Sequence, residues 1–197
     1  MIQDQTRFDA AIAAFDAANA EDPNQDDGHP KELLYARRMS EMLERFAPAA
    51  AESVRLAVRA QHIERWKTPR AAYPMGKEGY LQWRTGLYTF HAETAGRLMR
   101  ETGYDAAMIG RVQAAVGKKG IKVNAESQLL EDVADLVFLE HYLTAFAALH
   151  PEYDEAKWTG IIRKTWQKMS ADARQFALAG RIRLPESLVP LILKAVG

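Results

Sequence analysis

The sequence has no cysteine, no net charge and no long apolar run, and each absence removes a class of function. Without thiols there is no disulfide framework, no thiolate nucleophile and no cysteine-ligated zinc, so any metal site has to use His, Asp and Glu. Lys+Arg and Asp+Glu both total 26. That balance argues against a general nucleic-acid or membrane-surface binder, although local basic clusters remain. The richest apolar stretches, LVFL from Leu136 and LTAFAAL from Leu143, stop far short of a membrane span, and the opening MIQDQTRFDA has no signal-peptide core. A cytoplasmic location is the expectation. Also missing are alternating β-branched runs, an internal repeat, an HExxH spacing and a phosphate-binding Gly-rich turn, for which GKEG from Gly76 is too short.

What is present reads as helix. The 197 residues, 48% of them hydrophobic, suit one domain over 1–197, and apolar residues recurring at helical spacing predict an all-α, multi-helix bundle. Phe8, Ile12 and Phe15 mark a first helix, which ends before EDPNQDDGHP, a loop by composition. Pro30 opens a second helix carrying Leu34, Met42 and Phe46, and Pro48 leads into a third through Val54, Ala57 and Val58. Gln61 and His62 continue that helix's buried face at seven and eight residues from Val54. A long loop spans Lys67 to Gly79, followed by a fourth helix from about Tyr80 to Glu101 with His91 near its apolar face. Asp105 and Asn124 are N-caps for a fifth and a sixth helix. The sixth, apolar on nearly every side from Val133 to Leu149, is expected to be central. An amphipathic helix with Trp158, Ile162 and Trp166 and a short C-terminal helix complete the chain.

Asp135 interrupts the most apolar of these helices. A carboxylate buried there without a partner costs several kcal/mol, so it should meet a cation, a metal or strong donors; the plain alternative is a solvated acidic helix end with one buried salt bridge, for which an Arg such as Arg59 is a candidate. His62 and His91 sit on inward faces of two other helices, and bundles build metal or acid-base sites from such facing side chains. The plainer alternative makes each a satisfied core histidine. His141 reads as a packing or hydrogen-bonding residue, and His29 and His150 as solvated. Arg59, Arg65, Lys67 and Arg70, with Lys118 and Lys119 in a second turn, bring cations suited to a phosphate or carboxylate ligand, the alternative being a solvated charged face.

Four segments in order, ELLYARRMSEML from Glu32, LAVRAQHIERW from Leu56, FHAETAGRLMRETGYD from Phe90 and EDVADLVFLEHY from Glu131, resemble the family described as domain of unknown function 4202, over about residues 8–184. That family is sometimes labelled glutamyl-tRNA synthetase-like, but no synthetase motif is present here. The same segments resemble a worn His-Asp (HD) phosphohydrolase pattern. The resemblance places that pattern's first His at Tyr35, its His-Asp pair at Gln61 and His62, its final Asp at Asp135 and an additional metal-binding His at His91. Tyr35 and Gln61 are poor ligands for a divalent cation and fall instead to the substrate side of the site, with Arg59, Arg65, Arg70, Lys118 and Lys119.

The resemblance implies an HD-like fold and hydrolysis of a phosphate ester or nucleotide. One divalent ion (Zn, Mn, Fe or Mg) would sit on His62, His91 and Asp135, with Glu131 or Asp132 orienting the water as a base. Two alternatives stand beside it. One is a metal-free pseudo-enzyme that recognises a nucleotide or other small anion. The other is a helical protein-interaction module using apolar surface around Trp158 and Trp166.

Overall fold

Side-chain caps punctuate the helices, several of them where the sequence predicts. A computed structural model describes residues 2–196. Asp4 accepts from the amide of Arg7 to open α1 (Gln5–Ala20), Asp105 accepts from Met108 to open α5 (Ala106–Val116), and Asn124 accepts from Glu126 and Ser127 at the head of α6 (Ala125–Val137). The architecture is all-α: ten α-helices among the described residues and one two-residue hairpin. None of these helices is long and apolar enough to cross a membrane.

The chain's contacts group into two compact units, Met1–Leu130 and Glu131–Gly197, divided inside α6. In the first unit α1 packs on α2 (Lys31–Phe46), α3 (Glu52–Ala60) and α4 (Lys77–Glu101), while α5 packs on α3 and α4. Phe15, Met39, Leu56, Val58, Ile63, Met99 and Val112 are fully buried. Burying apolar side chains of this size contributes roughly 1.5–3 kcal/mol each. Gly96 lets α4 approach α5 closely, since a Cβ there would stand 2.4 Å from Nε2 of Gln113.

Three local features differ from the sequence reading, each for a physical reason. The predicted EDPNQDDGHP loop contains a hairpin, β1 (Gln25–Asp26) on β2 (His29–Pro30), because Asp27 and Gly28 both take the positive φ that a tight two-residue turn requires. Arg38 ties this hairpin to α2 through Asp26 and Asp27, at 3.0 and 2.5 Å. The third helix ends at Ala60, so Gln61 and His62 lie in the following turn rather than on the helix itself. The fourth helix starts earlier than its apolar pattern, at Lys77.

The second unit comprises the end of α6, a π-helical turn (Phe138–Tyr142), α7 (Leu143–Ala148), α8 (Glu155–Lys168), α9 (Ala171–Leu178) and α10 (Val189–Val196), which packs on α8. The apolar stretch from Val133 to Leu149 is thus three pieces, not one central helix. The turn leaves His141 exposed, so of its two readings, packing or hydrogen bonding, the packing one does not hold. Trp158 is buried, with its ring edge-on to Phe146 and tilted against Tyr153 at 5.6 Å each, so it supplies no exposed docking surface.

Candidate functional site

The turn that ends α3 carries the polar centre of the first unit. Asp22 prepares it from the α1–hairpin connection. One of its carboxylate oxygens accepts from the amide of Glu32 at 3.0 Å, the other from the amide and side chain of Asn24 at 2.9 and 2.8 Å. This side-chain cap fixes the first turn of α2, where Glu32 is buried and Tyr35 follows three residues later. Across from α2, Glu64 adopts φ 52, unusual for a residue with a Cβ, and its amide donates to Oδ1 of buried Asn19 at 3.0 Å. The chain therefore bends sharply just after His62 and Ile63.

Four of the sequence-predicted residues meet at that bend. The Tyr35 ring stacks on the His62 ring, with centroids 4.2 Å apart and planes within 13°, and its hydroxyl donates to Oε1 of Gln61 at 3.2 Å. The His91 ring, from the middle of α4, lies 5.9 Å from His62. Its Nδ1 donates to the carbonyl of Ile63 at 2.8 Å, which leaves Nε2 as a lone pair; it is buried, with no hydrogen-bond partner among the described residues. Arg65 is the fifth member. Its Nη1 stands 3.0 Å from Nε2 and 3.2 Å from Nδ1 of His62, and its guanidinium lies over the Trp83 ring at 5.2 Å.

Glu32 joins the cluster without having been read from the sequence. Its Oε2 is 3.4 Å from Nδ1 of His62. Burial pushes the Glu32 carboxyl up to about 7, against the opposing pull of Arg65 and Lys31. His62 keeps 23% of its side chain exposed. Even so, desolvation and then the positive charges of Arg65, Lys118 and Lys31 hold it well below the ordinary histidine range. His91 is brought down to about 3, by burial first and by His62 second. At neutral pH the centre thus contains two neutral imidazoles, a carboxyl poised between its forms and a guanidinium that forms no ion pair with a carboxylate among the described residues.

The remaining basic residues divide. Arg59 forks onto Asp16 at 2.7 and 2.6 Å and reaches the Ser40 hydroxyl at 3.1 Å, a structural clamp between α1, α2 and α3. Arg70 donates within its own loop, to the carbonyls of Tyr73 and Gly76. Lys118, at φ 54, lies over the Tyr88 ring at 5.7 Å, and Lys119 lines a cavity of about 260 Å³ with Tyr88, Glu93 and Gln113.

The acidic trio lies in the second unit. Glu131 and Asp135 face the ammonium of Lys168 at 3.3 and 3.7 Å, and Asp132 accepts from the amide of Ser170 at 2.7 Å at the head of α9. The cation expected beside Asp135 is therefore Lys168 rather than Arg59. Among the described residues no group of three or more His, Asp or Glu side chains is disposed to hold a metal ion.

Compared with known families, residues 9–192 match the model described as domain of unknown function (DUF4202). The chain belongs to the DUF4202 family. No curated protein and no solved structure matches it. For this DUF4202 chain the geometry around His62 is accordingly the ground for any functional reading. His62 and Tyr35 were legible from pattern and resemblance. The signal that could have found Glu32 is its place in the first turn of a helix capped by Pro30, three residues before Tyr35 and on the same face as Ala36 and Met39, both buried.

Proposed function

We propose that the first unit binds a small phosphorylated or otherwise anionic molecule, a nucleotide among the candidates, at Arg65 and His62 without a metal ion. One observation carries the reading: the partly exposed His62 stands 3.0 Å from the Arg65 guanidinium, which lies over the Trp83 ring and forms no ion pair with a carboxylate among the described residues. A guanidinium with one face on Trp83, Nη1 on His62 and no ion pair with a carboxylate among the described residues has further donors for an incoming oxyanion. The HD-like metal arrangement fits these residues poorly. Tyr35 and Gln61 are bonded to each other, and the Arg65 cation adjoins both ring nitrogens of His62, where a dication would be repelled.

A thermal-shift screen of nucleotides and phosphorylated metabolites tests this on the intact chain and on Arg65→Gln. A binder of the folded state present at 100 times its Kd adds about 2.7 kcal/mol and raises Tm. Shifts seen with wild type and lost in Arg65→Gln support the reading, and shifts equal in both overturn it.

Glu32 favours a second reading, hydrolysis of a phosphate ester or nucleotide in the same place. A carboxyl near 7 can take a proton from an attacking water and return it to a leaving group. Release of phosphate from nucleoside monophosphates, abolished by Glu32→Gln, would establish it; binding without turnover would dismiss it.

A further inference from the structure

The Nε2 lone pair of His91 sits in the interior with no donor within reach among the described residues. The residue is only 3% exposed, and its partnerless Nε2 contrasts with Nδ1, held at 2.8 Å on the Ile63 carbonyl. That bond settles the tautomer: the proton is on Nδ1 and the open acceptor is Nε2. A buried acceptor left unmet costs roughly 1–3 kcal/mol, and interiors rarely leave one without cause. Ile63, whose carbonyl orients the ring, stands between His62 and Glu64, and Glu64 keeps a strained φ of 52 under the hold of Asn19. With His91 only 5.9 Å from His62, and Arg65 touching His62, a ligand whose anionic end lies on Arg65 need be no longer than a sugar phosphate or a nucleoside phosphate to reach it.

We infer that His91 is a specificity residue whose Nε2 accepts from a hydroxyl or amine of the bound molecule, so that the ligand is a phosphorylated compound bearing a hydrogen-bond donor rather than a bare anion. This rests on the anion site proposed at Arg65 and His62. A site that presents a buried acceptor discriminates strongly against a ligand with no donor to offer, because the acceptor then stays unmet.

Two measurements test it together. In the first, nitrogen-15 spectra of the His91 ring in the wild-type chain are recorded with sulfate, ribose 5-phosphate, adenosine 5′-monophosphate and zinc alone. In the second, dissociation constants for the three anions are compared between wild type and His91→Asn. Asparagine keeps an N–H where Nδ1 stood, for the Ile63 carbonyl, and removes the outer acceptor. The inference expects at least one of the two donor-bearing phosphates to move Nε2 upfield and to bind about tenfold more weakly to His91→Asn, the worth of one hydrogen bond. Sulfate should bind both chains alike. If the phosphates bind in an Arg65-dependent way yet leave Nε2 and the variant's affinity unchanged, the role of His91 is overturned while the anion site stands. If zinc alone moves Nε2, the acceptor is a metal ligand and the inference is wrong. If no anion binds, the anion site fails and this inference with it. The wild-type spectra decide the matter even if the variant does not fold.

Discussion

His62 and Glu32 stand with Nδ1 3.4 Å from Oε2, and the fold moves the two in opposite directions: the acid upward to about 7, the base well below its ordinary range. Burial is the leading cause for both, since it disfavours whichever form is charged. The pair is thereby kept closer to neutrality than either group would be in water.

Replacing Glu32 by Gln should stabilise the protein at alkaline pH. The carboxyl titrates near 7 in the fold against 4.5 ordinarily, so the folded chain binds this proton more tightly than the unfolded one. Glu32 therefore subtracts from stability as pH rises from 4.5 to 7, and by its full amount above. Urea unfolding at pH 8 should show a gain of at most ~3 kcal/mol for Glu32→Gln, fading to nothing by about pH 4.5. A loss at pH 8 would show that the charged form is the one the fold favours.

His91 has the opposite sign. Its proton is taken up by the unfolded chain below 6.5 but by the folded chain only near 3, so its contribution is complete above 6.5 and is lost as pH falls towards 3. In His91→Asn the acid limb of the stability profile should flatten, by ~3 kcal/mol between pH 7 and pH 4. An unchanged acid limb would place the acid sensitivity elsewhere.

Asp22 holds Glu32 in place, and removing it should be felt at both levels. Asp22→Ala loses the acceptor for the Glu32 and Asn24 amides and should cost about 1–2 kcal/mol, as for other lost caps. It should also lower the Glu32 pKa, because Asp22 is one of the charges raising it. Carboxyl carbon shifts followed through a pH titration read the second effect directly.

The two basic side chains Lys168 and Arg65 should separate structure from function. Lys168 faces two buried carboxylates, Glu131 and Asp135, and is itself 41% exposed. Lys168→Met should therefore cost about 1–3 kcal/mol, less than a fully buried pair. Arg65 lies over Trp83 but pairs with no carboxylate among the described residues, so Arg65→Gln should change stability by no more than ~1 kcal/mol. Chemical denaturation of both variants checks the contrast, and a large loss in Arg65→Gln would make it a structural residue.

The helical period carried most of the fold. Apolar spacing and cap residues such as Asp105 and Asn124 located α1, α2, α4, α5 and the start of α6, because those signals act within a few residues of themselves. What escaped depends on conformation rather than on polarity. The Asp27–Gly28 hairpin hides in a composition that also suits a loop. The π-helical turn at Phe138–Tyr142 interrupts a run whose hydropathy is continuous, and Trp158 is as apolar when buried by Phe146 as when exposed. At the site, His62 and His91 read as metal ligands with Asp135, and Tyr35 and Gln61 as substrate-side residues; the structure brings these two histidines, Tyr35 and Gln61 together at one bend. The commitment of Arg59 to Asp16 and of Asp135 to Lys168 was not legible, because ion-pair partners distant in sequence leave no trace in it. Glu32 was passed over for a related reason: a glutamate in the first turn of a helix suits the helix dipole, and only the packing of that turn shows it to be buried.

Calorimetric titration with adenosine 5′-monophosphate and inorganic pyrophosphate, in excess chelator, puts the central claim at greatest risk. A metal-free anion site at Arg65 predicts that at least one of them binds with an affinity indifferent to the chelator and weakened about tenfold or more in Arg65→Gln, the loss of a charge-assisted hydrogen bond. Binding that appears only when a divalent ion is supplied, or that is equally strong in the variant, would contradict it.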